Sequence, residues 1–361
     1  MYTLFTLNKI VKTQEVTVNY PYVTEFRQSL VEWFNVEKRD LPWRHTTDPY
    51  KIWVSEVMLQ QTRVDTVIPY YNRFMESFPT LELLAEAPQE YLLKHWEGLG
   101  YYSRARNLQA GVREVLENYG GIVPDNRHEI STLKGVGPYT AGAILSIAYN
   151  KPEHAVDGNV MRVLSRVLSI HDDIAVPKTK KVFEAAVEEL IDPENASSFN
   201  QGLMELGALI CTPTSPKCLL CPVREYCTAY NEGAPEKLPI KSKKVKMKHI
   251  SYDVLVCQDD EGRFLLEQRA AEGLLANLWQ FPMLEHGKDS IETFINDYAM
   301  NVQSQEDLLT FKHVFSHLTW HINSYFMKCN SAVKGEWLTR EQIELLPMPV
   351  PMLKIWQEIK G

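Results

Sequence analysis

Four cysteines that lie close together in the sequence carry the strongest chemical signal. Cys211, Cys218, Cys221 and Cys227 follow the spacing C-x6-C-x2-C-x5-C, and three prolines stiffen the same segment. Four thiolates within so short a segment can enclose one soft metal centre, either a [4Fe–4S] cluster or tetrahedral zinc. Zinc sites usually contain paired short spacings, and only one short spacing is present here. The spacing alone therefore leaves both metals open.

Two carboxylates occupy predicted helix positions at which they could act on a substrate. Glu56 lies in an apolar helical stretch, where Trp53, Gln60 and Arg63 are expected on the same helix face. Asp157 precedes a helical run and so has the position of an N-cap. The ordinary interpretations are a solvated ion pair for Glu56 and a cap for Asp157. Capping and chemistry are compatible, because N-terminal helix amides favour an ionised carboxylate.

A glycine-containing turn lies between two helical stretches at residues 133–142, with the sequence LKGVGPYTAG. Gly135 and Gly137 permit a tight hairpin with close backbone approach. Exposed N–H groups at the start of the second helix could then hold a phosphate, a contact that positions a protein on DNA without reading bases. The alternative interpretation is a plain helix–helix turn.

A second turn, at residues 99–106, combines aromatic and basic side chains. Tyr101 and Tyr102 follow Gly100, and Arg104 and Arg106 come directly after them. Aromatic rings beside arginines suit base stacking and phosphate contact. The same residues are also compatible with core tyrosines and surface arginines.

Composition excludes several classes of protein. The chain has 361 residues, of which 45% are hydrophobic and 23% are charged, as in ordinary globular proteins. Neither an apolar run of the roughly 20 residues that cross a bilayer nor a signal peptide is recognisable. Six cysteines in a long chain do not indicate a secreted disulfide scaffold, so we expect a reducing cytosol. The net charge of −8 argues against nucleic-acid binding, although residues 235–248 carry a local net charge of +5.

The elements that must position these residues change in type near residue 250. Before it the pattern is mostly helical. Asp48 and Pro49 are expected to start a helical stretch over 50–78, with a break at Pro69. Further helices are predicted at 89–96, 103–119, 139–149, 160–170 and 178–190. After it, strands are predicted at 251–257, 263–268, 313–315, 321–328 and 336–338, with a turn at 259–262 and helices at 290–299 and 353–359. The second part is therefore predicted to be an α+β domain.

Together these segments resemble a known superfamily. The LPWR sequence at 41–44, the Glu56 helix, the 99–106 turn, the hairpin, Asp157 and the cysteines resemble the helix-hairpin-helix DNA glycosylases, which include endonuclease III. Within that superfamily the chain is most similar to the MutY family of adenine DNA glycosylases, over nearly all of residues 22–361. The resemblance implies a multidomain protein with an all-α helix-hairpin-helix core, a [4Fe–4S] cluster on the four cysteines, and an α+β Nudix-like C-terminal domain.

The resemblance also implies a domain division. The glycosylase core spans 22–233, and consists of a six-helix module at about 43–150 and an iron–sulfur module formed by the N-terminal helix and about 151–233. A basic linker at 234–248 leads to a lesion-recognition domain at 249–361. Residues 1–21 are an N-terminal extension of unassigned role.

The activity implied by the resemblance is base-excision repair. Such an enzyme hydrolyses the N-glycosidic bond of adenine mispaired with 8-oxoguanine or guanine in double-stranded DNA. Glu56 is expected to protonate adenine and then activate water, with its pKa raised by burial. Asp157 is expected to stay ionised and to stabilise the oxocarbenium-like sugar, supported by Tyr139 and Asn159. Lyase members of the superfamily have a Schiff-base lysine where this chain has Tyr139, which implies a monofunctional enzyme.

The resemblance extends to DNA contacts, since the target nucleotide must leave the base stack before it can react. Gln61 and Tyr101 would fill the vacated duplex. Trp43, Arg44 and Gln201 would line the adenine pocket. The remaining expected DNA contacts are Thr62, Leu99, Gly135 and Gly137, together with the lesion-strand loop Phe315, Ser316 and His317.

Three alternative functions are open at this stage. The first is an endonuclease III-like glycosylase for oxidised pyrimidines, and the second is a non-catalytic sensor of DNA damage. The third, nucleotide pyrophosphohydrolysis, requires an acidic metal-binding helix, which the segment GLLANLWQFPMLE at 273–285 does not provide. We further expect a monomer that acts in the bacterial cytoplasm, and the sequence identifies no protein partner.

Overall fold

The computed structural model describes residues 20–242, 247–330 and 335–360. Residues 1–19 of the predicted N-terminal extension and residues 243–246 of the predicted linker lie outside the described residues. The α-helices of the described residues are, in chain order, α1 (Val23–Glu37), α2 (Pro49–Leu59), α3 (Val64–Ser77), α4 (Leu81–Glu86), α5 (Gln89–His95), α6 (Ser103–Tyr119), α7 (Arg127–Ile130), α8 (Pro138–Tyr149), α9 (Gly158–Val167), α10 (Lys180–Leu190), α11 (Ala196–Leu209), α12 (Thr228–Asn231), α13 (Ile291–Asp297), α14 (Arg340–Leu345) and α15 (Val350–Lys360).

Helix α2 begins where the sequence predicted it. The Oδ1 atom of Asp48 accepts hydrogen bonds from the backbone N–H groups of Tyr50 at 2.9 Å and Lys51 at 3.4 Å. Pro49 occupies the first helical position, where a missing N–H costs nothing. The cap matters for the site because α2 carries Glu56.

The predicted break at Pro69 is wrong, because the chain turns earlier. Helix α2 ends at Leu59, and Pro69 lies inside α3. Pro69 is exposed and removes one helical hydrogen bond without ending the helix. Gln61 instead adopts φ +57°, a left-handed conformation that no right-handed helix accommodates.

The first of two compact units contains the residues up to Asp40 together with Gly137–Ser242. Helix α11 is its centre, since α1, α8 and α9 all pack against it. Its core is built from aliphatic and aromatic side chains of these helices and of α10, including Phe26, Leu30, Leu164, Phe183, Phe199, Leu203 and Leu206. This unit places Asp157 at the start of α9 and Cys211 just after α11.

The second unit contains Leu41–Val136 and the C-terminal part of the chain. In its helical part, α2 packs against α3 and α6, and α4 packs against α6. The buried amide of Gln109 on α6 donates to the carbonyl oxygens of Leu84 at 3.0 Å and Ala87 at 2.7 Å. These bonds satisfy a polar group that would otherwise be costly to bury.

The C-terminal part of the second unit is a mixed sheet with helices packed on it. Its described strands are β1 (Lys248–Gln258), β2 (Phe264–Gln268), β3 (Trp279–Gln280), β4 (Met283–Glu285), β5 (Val302–Val314), β6 (Leu318–Cys329) and β7 (Glu336–Leu338). Their order in the sheet is β3-β2-β1-β6-β5, with β4 paired to β1 and β7 paired to β2, and among these described strands only the β1–β6 pair is parallel. Helix α15 contributes Ile355 and Trp356 to a core shared with Phe264, Phe281 and Trp320.

The predicted α+β character of this part is confirmed, but β5 is much longer than the predicted strand at 313–315. Most of its side chains are exposed, and two register shifts interrupt its pairing with β6. A strand whose side chains are mostly solvated lacks a sustained period-two hydrophobic pattern, so most of β5 carries no strand signal in its sequence.

The two compact units follow the chain differently from the predicted domain division. Helix α8 belongs to the first unit because it packs on α11, whereas the sequence placed it in a six-helix module ending at about 150. The division into domains at 22–233 and 249–361 stays a prediction. In the described ranges no helix is both long and apolar enough to traverse a lipid bilayer.

Candidate functional site

The four clustered cysteines line one cavity in the first unit. Cys211 follows α11. Cys218 begins a short 3₁₀ turn, and Cys221 comes directly after that turn. Cys227 follows a second 3₁₀ turn and directly precedes α12. The remaining lining is mostly apolar, from Val163, Val167, Leu206, Ile210, Val223 and Tyr230. Within the described part of the chain, no three His, Cys, Asp or Glu side chains are arranged to share a single metal ion.

A buried arginine faces this cavity. Arg166 is 1% exposed, and its Nη1 donates to the Sγ atom of Cys211 at 3.2 Å and to the carbonyl oxygen of Thr212 at 2.8 Å. Its Nε donates to the carbonyl oxygen of Leu238 at 2.9 Å. A guanidinium beside four thiolates offsets part of their negative charge and donates hydrogen bonds to sulfur, which suits an iron–sulfur cluster.

Three of these thiols, those of Cys218, Cys221 and Cys227, resist ionisation in the absence of a metal. Burial raises the pKa of Cys221 to about 12 and that of Cys227 to about 11, and the neighbouring thiols add to both shifts. Burial also raises the pKa of Cys218. Metal binding must therefore displace these protons, and it couples cluster uptake to folding of the loop. The donor set, the apolar lining and Arg166 all fit a cluster of iron and sulfur.

Asp157 is the N-cap of α9, as the sequence predicted. Its Oδ1 accepts from the N–H of Val160 at 2.7 Å, and its Oδ2 accepts from the Nδ2 of Asn159 at 3.0 Å. These bonds and the charge of Arg162 favour the ionised form, but desolvation by burial is stronger and raises the pKa of Asp157. The expectation that capping alone sets its charge therefore omitted the larger effect.

A chain of hydrogen bonds connects Asp157 to the cysteine loop. Asn159 accepts at Oδ1 from the Nη2 of Arg162 at 2.8 Å. Arg162 also donates from Nε to the carbonyl oxygen of Cys211 at 2.7 Å and from Nη2 to that of Gly207 at 2.8 Å. Gly207 has to be a glycine here, because a Cβ atom would lie 2.6 Å from the Cβ of Asn159. Asn159 is thus fixed from both ends.

Glu56 lies near the middle of α2 and is buried, at 5% exposure. Its neighbours along the helix include Trp53 and Met58, both fully buried. The predicted helix face with Gln60 and Arg63 is wrong, because α2 ends at Leu59 and Arg63 is the N-cap of α3. The interpretation of Glu56 as a solvated surface ion pair on a continuous helix therefore does not hold.

The predicted hairpin forms the turn that precedes α8. Gly135 has φ +79°, and a Cβ atom there would lie 2.8 Å from the Cβ of Asn107, so the position requires glycine. Gly137 is the N-cap of α8 and Pro138 its first residue. Both glycines are exposed, as a phosphate contact at this turn requires. The backbone N–H groups of Lys134 and Val136 are already engaged, with Glu114 and with the carbonyl oxygen of Leu133.

Two residues expected to enter DNA share an unusual backbone conformation. Gln61 has φ +57° and Tyr101 has φ +47°, and both are exposed. Non-glycine residues with positive φ are uncommon and cluster at functional sites. Thr62, directly after Gln61, is partly buried, whereas Leu99 is only 7% exposed and points into the protein core.

The predicted lesion-strand loop joins β5 to β6. The N–H of Phe315 donates to the carbonyl oxygen of Leu318 at 2.7 Å, and the Phe315 ring lies 4.8 Å from that of Trp320. The hydroxyls of Ser316 and Tyr101 are hydrogen-bonded to each other. The loop and the 99–106 turn therefore meet within the second unit.

A cavity of about 420 Å³ opens where these two segments meet. Sequence reasoning missed part of its wall, namely Leu274, Leu275 and Val350. Arg106 donates from Nη1 to the carbonyl oxygen of Ala276 at 3.0 Å and so holds the 273–276 segment. The only sequence signal for that segment was Gly273 followed by two leucines, which is too weak to assign a role.

The residues predicted to line an adenine pocket occupy both units. Trp43 is buried, and its ring packs edge-on to Tyr71 at 5.4 Å; Arg44 follows it in the same 3₁₀ turn. In the other unit, Gln201 donates from Nε2 to the Oγ of Ser197 at 3.1 Å. Tyr139, at the second position of α8, lies 3.6 Å through its hydroxyl from the Sδ of Met204. Their roles in binding adenine stay predictions.

Comparison with protein families gives three matches along the chain. Residues 54–193 match the HhH-GPD superfamily base excision DNA repair proteins, and residues 253–358 match the NUDIX domain. Residues 211–227 match the iron-sulfur binding domain of endonuclease III. The predicted fold class is confirmed, and so is the iron–sulfur assignment, with [4Fe–4S] rather than zinc as the cofactor.

Individual relatives agree with the family matches. The adenine DNA glycosylase of Buchnera aphidicola subsp. Acyrthosiphon pisum is 33% identical over 346 residues, which cover 93% of this chain and 97% of that protein. The adenine DNA glycosylase of Homo sapiens is 34% identical over 407 residues, covering 94% of this chain and 74% of that protein. The solved structure of a thermostable thymine-DNA glycosylase is 32% identical, with a TM-score of 0.53 over 58% of this chain and 97% of that one.

Proposed function

This chain belongs to the adenine DNA glycosylase family, and we propose that it removes adenine mispaired with 8-oxoguanine or guanine from double-stranded DNA. The reaction hydrolyses the N-glycosidic bond. Adenine is a poor leaving group as an anion, and the sugar becomes positively charged as the bond breaks. The enzyme must therefore supply a proton to the base and a fixed negative charge to the sugar. Glu56 and Asp157 are the carboxylates proposed for these two tasks.

Glu56 is the proposed proton donor. Its burial on α2 beside apolar side chains is the observation that carries the proposal, because a carboxyl withdrawn from water more readily holds the proton it must deliver. After adenine has left, the same carboxylate would take a proton from the attacking water. Trp43, Arg44 and Gln201 are proposed to hold adenine, with the amide of Gln201 matching the donor and acceptor pattern of a base edge.

Asp157 is the proposed anion on the sugar side. It would stabilise the oxocarbenium-like sugar electrostatically, either directly or through a covalent sugar intermediate. Asn159 donates to its Oδ2 and fixes its orientation, and Tyr139 is proposed to support the sugar. Since Tyr139 stands where lyase relatives have a lysine, we propose that base removal proceeds without a Schiff base and without strand cleavage.

Cys211, Cys218, Cys221 and Cys227 are the proposed ligands of the [4Fe–4S] cluster. When bound, the cluster supplies Fe–S bonds that hold the loop closed. Two basic residues of the loop reach the surface: Lys217 is exposed and Arg224 is partly exposed. We propose that both contact DNA phosphates. The N–H groups at Gly135 and Gly137 are proposed to make further phosphate contacts.

Lesion selectivity is proposed to reside in the C-terminal part of the chain. Gln61 and Tyr101 would occupy the space left by the extruded adenosine, with Thr62 and Leu99 in the adjoining turns. Phe315, Ser316 and His317 would contact the oxidised guanine opposite, and the cavity beside Tyr101 and Ser316 supports that assignment. We further propose that the protein acts as a monomer in the bacterial cytoplasm.

The test is a single-turnover glycosylase assay on 8-oxoguanine:A, G:A and oxidised-pyrimidine duplexes. We expect adenine release from the first two, and a Glu56→Gln variant that is slowed at least about a hundredfold, because it lacks the proton. Its affinity for the mismatch should stay within about tenfold of wild type. Glu117→Gln, at an exposed position of α6, is the control. Near-normal turnover by Glu56→Gln contradicts the acid assignment, and a borohydride-trapped adduct contradicts the monofunctional one.

A further inference from the structure

In each of two exposed turns of the second unit, one residue has a left-handed backbone conformation that its residue type disfavours. Gln61 follows the end of α2 with φ +57°, and Tyr101 precedes α6 with φ +47°. A side chain with a Cβ atom is strained in this region, and such strain persists only where the surroundings hold the backbone firmly. Something must therefore stabilise both turns at once.

A single guanidinium group contacts both turns. Arg104, in the first turn of α6, donates from Nη1 to three carbonyl oxygens at the end of α2: those of Val57 at 2.8 Å, Met58 at 3.0 Å and Gln60 at 2.5 Å. The last carbonyl groups of a helix have no partner within the helix and carry its negative dipole end. A partly buried cation at this point satisfies them and favours the left-handed residue that follows.

The other nitrogen of the same group holds the second turn. Nη2 of Arg104 donates to the carbonyl oxygens of Leu99 at 3.2 Å and Gly100 at 3.1 Å, and lies 3.4 Å from the Oγ1 of Thr62. The guanidinium carbon lies 5.6 Å from the centre of the Tyr101 ring, within the range of a cation–π contact. The turn that bears Gln61 and the turn that bears Tyr101 are thus joined through one side chain.

We propose that Arg104 is a positioning residue that fixes Gln61 and Tyr101 in one mutual geometry, so that both side chains enter the duplex together when the adenosine is extruded. The proposal rests on the proposed function of those two residues. Sequence reasoning left Arg104 open between stacking or phosphate contact and a plain surface position, whereas its donors are directed at backbone carbonyls of its own chain.

Arginine suits this role better than lysine. Burial lowers the pKa of Arg104 to about 10, so the group keeps its charge at neutral pH. Its planar fork presents donors in two directions, whereas an ammonium group is a single point charge and cannot span two turns in a fixed geometry. A conservative Arg104→Lys substitution should therefore keep the charge and lose the coupling between the turns.

The experiment follows extrusion separately from chemistry. A 2-aminopurine placed beside the target adenine becomes fluorescent when its neighbour leaves the stack, and single-turnover adenine release is measured on the same duplex. Arg104→Lys is compared with Arg113→Lys, a matched control on the same helix whose Nε donates to the carbonyl oxygen of Ala85 at 2.7 Å. We expect at least a tenfold slower extrusion for Arg104→Lys and less than a twofold change for Arg113→Lys, with equal iron content in both.

A second experiment tests whether Arg104 acts through the side chains of Gln61 and Tyr101. In a Gln61→Ala/Tyr101→Ala background, Arg104→Lys should slow extrusion less than twofold further, since the two side chains that Arg104 is proposed to position are then absent. A full tenfold further loss overturns the proposal, as does normal extrusion by the single variant. If Arg104→Lys does not fold, Arg104→Gln, whose amide can reach only one turn, replaces it. Wild-type protein that extrudes adenine without releasing it would contradict the proposed function and leave this proposal intact.

Discussion

Competing interactions determine the charge and the orientation of single side chains at this site, and Asp157 is the clearest case. Its two oxygens accept hydrogen bonds from Val160 and Asn159, which stabilise the anion, while burial destabilises it. The result is a carboxylate that is oriented by its partners and poorly solvated. A negative charge in that condition interacts strongly with a developing positive charge, because little water is present to screen it.

This balance predicts a pH dependence. Since burial raises the pKa of Asp157 in the folded state above its ordinary value of 3.8, the folded state binds more protons than the unfolded state just above that value. The contribution of Asp157 to stability should therefore fall as pH rises through this window. We expect the difference in unfolding temperature, wild type minus Asp157→Asn, to decrease from pH 4.5 to pH 7. An increase over the same range would contradict the assignment.

The contact between Gly207 and Asn159 gives a second prediction. Gly207→Ala places a Cβ atom 2.6 Å from the Cβ of Asn159, which must shift and release its hold on Asp157. We expect single-turnover adenine release to fall at least about tenfold, as misplacement by a fraction of an ångström at a reacting group generally causes. Ala208→Ser, the exposed neighbour on α11, adds one atom without such a contact and should retain full activity.

At the scale of elements, α9 connects the proposed catalytic end to the cysteine loop. Its first residues hold Asp157, and Arg162 and Arg166 further along it bind the carbonyl oxygen and the sulfur of Cys211. The loop contains only short 3₁₀ turns around its cysteines, which have little stability of their own. The helix and the cluster must therefore stabilise the loop together.

Loss of one ligand should open that loop. Cys218→Ser is expected to be purified without the visible absorbance of an iron–sulfur cluster and with a lower unfolding temperature, because metal binding and folding of such a segment are coupled. Cys329→Ser, a buried cysteine of β6 outside the loop, is the matched control and should keep its absorbance. A colourless wild-type protein that contains zinc would contradict the cofactor.

At the scale of the whole molecule, hydrogen bonds join segments that lie more than two hundred residues apart in sequence. Tyr101, in the turn before α6, is hydrogen-bonded to Ser316, in the loop after β5. Trp279 donates to Glu90 at 2.6 Å and Lys94 donates to the carbonyl oxygen of Leu346 at 3.0 Å, so further bonds join the same parts of the second unit. The proposed insertion of Tyr101 into the duplex and the proposed contact of the 315–317 loop with the opposite base would thus be linked through this hydrogen bond.

This link predicts a change in selectivity rather than in chemistry. Ser316→Ala removes one hydrogen bond, worth about 1 kcal/mol or roughly a fivefold effect. We expect the preference for 8-oxoguanine:A over G:A to fall by about that factor, with adenine release from G:A unchanged. Ser304→Ala, exposed on β5, should leave both rates as they are. An equal loss on both duplexes would mean that Ser316 supports folding and not selectivity.

Local sequence was sufficient for much of the site. The cap at Asp48 and the cap at Asp157 both depend on residues within four positions of one another, and both are confirmed. Helix α6 was predicted with its bounds correct for the same reason. These features rest on backbone geometry and short-range hydrogen bonds, which a stretch of sequence specifies without help from the rest of the chain.

Other features were decided only by tertiary packing. The chain turns at Gln61 and not at Pro69 because Arg104, more than forty residues away, stabilises the end of α2. Burial, not capping, sets the direction of the pKa shift at Asp157. Residue types and their spacing thus determined which groups are present and limited the metal centre to an iron–sulfur cluster or zinc, and the family match at residues 211–227 decided between the two. Their burial, and the partners that hold them, depend on contacts between segments far apart in sequence, which only the folded chain brings together.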